Sequence, residues 1–407
     1  MEMSTLFIFH LFFSVVLTLI HINMQDISFY FKAIQKEQDF KEGSIGNTII
    51  IHEEGAFPDV EKGSIVLFHV NEFRNSTYEN VAPEKFRTPF YELNVGVDWT
   101  RPLYDLGNIE AGNSIEDTYY AVSAVLRELI KNDCIPVLVG GSQDLTFAMY
   151  KAFEQLEQTI NLCTVDSKFD LGDPEGEMTA DAYISHMLMQ RPCYLFNHAN
   201  IGVQAPLASA MDFDLFDKLL FDYCRLGEFN ADFKRAEPYL RNSDVLSLDL
   251  TSVRYSELND AQYYLPNGFY ADQICQIAKY AGISDKMSAF GIFNYLPEHS
   301  TANNISALVG QIIWYFIDGV SMRVGDFPIG LKKDYLKFHV HLEEFTDHLV
   351  FYKSNKSQRW WLEVPYTVGN AKKYERHHMV PCDQDDYEKA MRNELPDLWW
   401  KTYQKLV

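Results

Sequence analysis

Positive charge is what this sequence lacks most. Against 57 Asp and Glu it carries 35 Lys and Arg, a formal net charge of −22 at neutral pH. A nucleic-acid partner needs a basic face to neutralise phosphates, and no long basic run supplies one, so that class of partner is excluded. Cysteine is scarce as well: six in 407 residues, at positions 134, 163, 193, 224, 275 and 382, with no CxxC pair among them. A disulfide framework or a zinc ribbon is therefore disfavoured, and a reducing, cytoplasmic setting fits. No GxSxG elbow marks a serine nucleophile, and no cysteine stands in an activating context. Internal repeats and low-complexity stretches are absent. What remains is 47% hydrophobic and 14% aromatic residues, enough to bury a real core. The length suits one large α/β unit with additions, or two domains.

The longest apolar run is at the start, residues 5–22 (TLFIFHLFFSVVLTLIHI). It is barely long enough to span a bilayer of about 30 Å. Yet no Lys or Arg precedes Lys32, Glu2 occupies the would-be basic end, and no small-x-small cleavage site follows. Two readings compete: an uncleaved anchor in the inner membrane, the one case implying a membrane partner, or a start placed too early, with Met24 the first residue. The second is preferred, because MQDISFYFKAI opens like an ordinary cytosolic chain.

From Gly63 onward, short apolar runs alternate with helical patterns. Strands are expected at 64–70, 135–139, 160–165, 245–250 and 288–293, with another inside 194–203. Helices are expected from the Ser114 or Asn113 cap to Ile130, and at 145–156, 181–190, 271–281 and 303–317. The stretch from Asn71 to Gly112, punctuated by Pro83, Pro89 and Pro102, reads as a long polar loop. Strands spaced by helices imply βαβ units and a mostly parallel sheet covered on both faces. After Gly330 the text becomes aromatic, charged and antiparallel-looking (KFHVHLEEF, HLVFYK, RWWLEV). The expected organisation is a leader (1–23), a lead-in (24–97), an α/β domain (98–329) and a C-terminal extension packed on it (330–407).

In open α/β sheets the site lies at the carboxyl ends of the strands. Three such ends carry informative residues: Gly140-Gly141-Ser142-Gln143-Asp144, Asp166-Ser167-Lys168-Phe169-Asp170, and Ser247-Leu248-Asp249-Leu250-Thr251. Each alone is weak, since a Gly-Gly pair is usually a tight turn and a DxxxD usually a solvated loop. Together, in order and on successive strand ends, they resemble the ureohydrolase family of arginase, agmatinase and formimidoylglutamase. That family's signatures there read Gly-Gly-Asp-His-Ser, Asp-Ala-His-x-Asp and Ser-x-Asp-x-Asp, and they hold two manganese ions. The resemblance spans roughly residues 98–329. It implies a three-layer αβα fold with a mostly parallel central sheet, arginase-like, and a homo-oligomer.

Half of the implied ligands differ. The two histidines of the family pattern stand here as Gln143 and Lys168, and its last aspartate as Thr251, while Asp166, Asp170 and Asp249 remain. The glutamate that in the family holds the substrate amidine corresponds to Asn294, within Asn294-Tyr295-Leu296-Pro297. Four carboxylates balance two divalent ions in the family; three carboxylates and one lysine leave a net charge of −2 to be balanced. The expectation is that Lys168 replaces one ion by its ammonium group. The rest is met by one divalent cation (Mn²⁺ or Mg²⁺) on Asp166, Asp170 and Asp249 with Gln143 as fourth ligand, or by no metal and raised carboxyl pKa values. A two-metal centre is not expected. Without bridging metals to activate a water, ureohydrolase chemistry is expected to be lost. The rival reading is a divergent hydrolase of linear amidine C–N bonds using one metal or none.

Elsewhere, His339 and His341 (HVH) alternate on one strand face with Glu343 beyond them. That is compatible with metal, although such a pair is more often packing or a hydrogen-bonded surface pair. Trp360-Trp361 and Trp399-Trp400 read as anchors for the extension or a subunit interface.

Overall fold

The computed structural model describes residues 24–35, 38–78, 85–259, 263–296, 304–329, 332–343, 348–366 and 374–407. The apolar run at 5–22 lies outside them. Among the described residues, no helix is long and apolar enough to cross a membrane.

Nine parallel strands form the central sheet: β1 (Ile50–Ile51), β2 (Ile65–Asn71), β3 (Leu103–Glu110), β4 (Ile135–Gly140), β5 (Ile160–Val165), β6 (Leu195–Val203), β7 (Asp222–Arg225), β8 (Val245–Asp249) and β9 (Ala289–Phe293). Their spatial order is β1-β3-β2-β4-β9-β8-β5-β6-β7. Strands such as IPVLVG and INLCTV are buried along their whole length, as a sheet covered on both faces requires. One apolar layer is built around helices Ala271–Ile283 and Asn304–Ser321, the other around helices Ile115–Lys131 and Leu145–Gln155. Helix Ile115–Lys131 starts at Ser114, whose hydroxyl accepts from the Asp117 N–H while Asp117 accepts from the Ser114 N–H. Such a reciprocal cap satisfies two donors that the first turn would otherwise leave unpaired.

One expectation fails. The described part of the stretch 71–112 is not all loop: it holds helix Arg87–Glu92 and strand β3, which pairs with β2 across a bulge and with β1 on its other side. Its polar text misled because Asp105 and Asn108 of β3 are buried and satisfied from within. Arg87 donates to both Asp105 oxygens (2.8 and 3.1 Å), to Asn108 Oδ1 (2.8 Å) and to the Gly107 carbonyl (3.0 Å). Gly107 has φ +92°, and a Cβ there would press on the Lys32 carbonyl. The helix expected at 181–190 is also shorter, Tyr183–Met189.

Beyond the central sheet, β10 (Tyr335–His341), β11 (His348–Ser354), β12 (Trp360–Glu363) and β13 (Met379–Cys382) pair antiparallel in sequence order. Arg241, from the helix before β8, reaches across to donate to the carbonyls of Trp360 (2.8 Å) and Cys382 (2.9 Å). Its guanidinium also lies over the Trp361 ring, 4.6 Å from the centroid. His377 stacks on Phe196 and hydrogen-bonds Thr159 (2.9 Å). The extension is thereby fixed to the β5–β6 side of the sheet. Trp360, Trp361 and Trp399 are buried in it, whereas Trp400 is exposed. All six cysteines are free.

Candidate functional site

Four neighbouring strands, β4, β9, β8 and β5, end side by side in the middle of the sheet. Because β4 and β5 are consecutive in sequence but lie on opposite sides of the β9–β8 pair, the connections diverge there and leave a crevice at the carboxyl ends. A cavity of about 540 Å³ occupies it, lined by Gln143, Asp166, Lys168, Asp170, Asp249, Thr251 and Asn294 among others. All seven residues singled out from the sequence therefore meet in one place.

The backbone is shaped for this. Gly141 passes so close to Glu72 that any Cβ would collide with its main chain, and its carbonyl accepts from the Asn294 N–H (2.6 Å). Asp170 (φ +51°) and Asn294 (φ +54°) adopt the left-handed conformation, which Asp and Asn tolerate better than most residues.

The carboxylates differ in how they are held. Asp249 is the most fully bonded of the three: Oδ1 accepts from the Thr251 N–H (2.7 Å) and from Asn294 Nδ2 (2.9 Å), and Oδ2 from the Thr251 hydroxyl (2.6 Å). Asp166 Oδ1 accepts from the Lys168 N–H (2.9 Å); its buried Oδ2 and Gln143 Nε2 have no well-formed hydrogen bond among the described residues, although the Gln143 and Asp170 side chains lie near enough to pull the Asp166 pKa down. Burial, reinforced by the charge of Asp249, pushes the Asp166 carboxyl up to about 7. Burial and the neighbouring Asp166 push Asp170 well above the usual carboxylate range. Asp249 is raised by burial too, against the opposing pull of its bonds from Thr251 and Asn294.

Lys168 stands differently from its expected place between Asp166 and Asp170. Its ammonium turns outward to Asp181 (2.9 Å), and its side chain is 44% exposed. Burial works against its charge, but the Asp181 bond and the fields of Asp181, Asp170 and Asp166 raise its pKa. It offsets the aspartates at a distance rather than by contact. Asp181 could not be singled out beforehand, since it arrives from a loop and belongs to no motif. Asn75, from a loop, and Tyr119, from helix Ile115–Lys131, likewise belong to no motif, and both hydrogen-bond the buried Asp144. Tyr78 also lines the pocket, its phenol pushed up to about 12 by burial and the charge of Asp249.

The donors at these positions differ from those of the family pattern. An ammonium and a neutral amide replace two imidazole donors, and a threonine hydroxyl replaces a carboxylate and spends its proton on Asp249. Among the described residues, no group of three or more His, Cys, Asp or Glu side chains is arranged to hold a metal ion.

Comparison with known proteins gives the lineage. The arginase-family profile matches residues 73–317. Formimidoylglutamase of Staphylococcus haemolyticus (strain JCSC1435) is 20% identical over 225 residues, covering 53% of this chain and 71% of its own. Formimidoylglutamase of Hahella chejuensis (strain KCTC 2396) is 24% identical over 157 residues, 36% of this chain and 47% of its own. The crystal structure of formimidoylglutamase from Bacillus subtilis superposes with a TM-score of 0.63 at 16% identity, over 71% of this chain and 96% of that one. The crystal structure of Trypanosoma cruzi formiminoglutamase with Mn²⁺ superposes with a TM-score of 0.56 at 16% identity, over 66% of this chain and 96% of that one.

Proposed function

We propose that this chain, which belongs to the arginase family, has lost two-manganese hydrolysis and serves as an interaction or structural protein within a homo-oligomer. The observation that carries this reading is Asp249. Both of its oxygens are occupied by donors from Thr251 and Asn294, the positions where the family pattern has a metal-binding carboxylate and a substrate-binding one. Metal ligation by Asp249 would compete with those bonds, and a cationic amidine substrate would need a negative charge where Asn294 presents an amide. Lys168 supports the same conclusion, since an ammonium paired with Asp181 repels a cation entering beside it.

A second reading has one observation in its favour. Asp166 Oδ2 and Gln143 Nε2 are buried, lack a well-formed hydrogen bond among the described residues, and belong to residues lining the same cavity. A protonatable carboxyl beside an amide can bind and polarise a small C–N substrate using one metal ion or none. The test is turnover by the purified full chain with arginine, agmatine and formimidoylglutamate in Mn²⁺ buffer. The proposal expects no hydrolysis above the heat-denatured control, and an ordinary enzymatic rate on any of the three would overturn it. If turnover appears and Asp166→Asn abolishes it, the second reading stands instead.

A further inference from the structure

We propose that His339, His341 and His348 form a zinc-binding site on the exposed face of the C-terminal sheet. This inference is independent of the strand-end pocket. In β10, Val340 and Leu342 just beyond it are buried, so alternation turns His339 and His341 to the solvent side together. The register of the β10–β11 ladder then adds a third imidazole: His341 pairs directly with His348, and His339 with Val350, one step along. Directly opposed residues have Cβ atoms about 5 Å apart and diagonal ones remain within reach of long side chains. The ring centroids of His341 and His348 are 5.2 Å apart, and those of His339 and His348 are 6.3 Å apart.

These spacings suit a shared ion. Zinc takes imidazole nitrogen at about 2.0 Å, which puts two rings on one tetrahedral ion with centroids about 5 Å apart. The His341–His348 pair already has that spacing, and the third ring must close by about 1 Å. In the present rotamers the rings stand nearly perpendicular (71° and 86°) and make no metal geometry. All three side chains are exposed, so rotation about their own side-chain bonds is open to them. Three histidines leave a fourth position for water, and an imidazole set selects Zn²⁺ over Mg²⁺ or Mn²⁺. The HVH pattern alone is an ambiguous sign; the cross-strand partner seven residues on from His341 makes it a site.

The experiment is a calorimetric titration of the full chain with Zn²⁺, followed by X-ray absorption at the zinc edge. The expected result is one high-affinity ion per chain, with a first shell of imidazole nitrogens at about 2.0 Å. Binding should be lost in His341→Ala and His348→Ala, whose melting curves should match the parent, and kept in Asp166→Asn. No binding to the parent chain, equal binding by the triple His→Ala variant, an all-oxygen shell, or loss of binding in Asp166→Asn would each overturn the proposal.

Discussion

Asp105 and Asp166 are carboxylates of the same sheet, buried to a similar degree, and the protein treats them in opposite ways. Asp105, in β3, is wholly enclosed and receives two bonds from Arg87, one from the Tyr91 hydroxyl (2.8 Å) and one from the Gly107 N–H (2.9 Å). Asp166, at the end of β5, has one bonded oxygen and one without a well-formed hydrogen bond among the described residues, beside two further carboxylates and a lysine that looks away. A buried charge is tolerated when a cation and hydrogen bonds satisfy it, and otherwise the carboxyl takes up a proton. The first arrangement is architecture. On the function proposed above, the second is an inherited site without its counter-ions, in which the carboxyls remain and burial favours their protonated form.

That contrast can be broken by experiment. The largest effect is expected for Arg87→Ala, which leaves Asp105 buried and unpaired; denaturant unfolding should show a loss of about 3–5 kcal/mol. Next comes Asp244→Asn. Asp244 is fully buried, bonds the Asn161 N–H, and pairs with Arg376 of the extension and with Lys286. The amide keeps hydrogen-bonding capacity but loses the charge, so about 1–3 kcal/mol should go. Asp166→Asn should change stability at pH 7 by less than about 1 kcal/mol, or raise it, because surrendering function at strained sites commonly stabilises. A loss as large as that of Arg87→Ala would make the cluster architectural and erase the comparison.

The pH dependence sharpens the same point. Asp166 titrates near 3.9 in an unfolded chain and at about 7 when folded. Between those values the folded state binds the extra proton, so stability should fall as pH rises from about 4 to 7, then level off. In chemical unfolding at several pH values, Asp166→Asn should flatten that slope; an unchanged slope would place the proton elsewhere.

The site was more legible than parts of the scaffold. Gly140-Gly141, Asp166, Asp170 and Asp249 are local text at strand ends, and order plus spacing sufficed to bring them together. Strand β3 was hidden because its burial depends on Arg87, which no periodicity rule connects to Asp105. Lys168 was placed in the right pocket with the wrong partner, since charge proximity in sequence favoured Asp166 and Asp170 while the fold supplied Asp181. His348 stayed silent for a similar reason: only the ladder register sets it against His341.

The central claim is most directly tested by metal stoichiometry, measured by equilibrium dialysis of the full chain against Mn²⁺. This account predicts fewer than two manganese ions per chain, rising only when Gln143→His, Lys168→His and Thr251→Asp are combined. Two tightly held ions on the unaltered chain would contradict it.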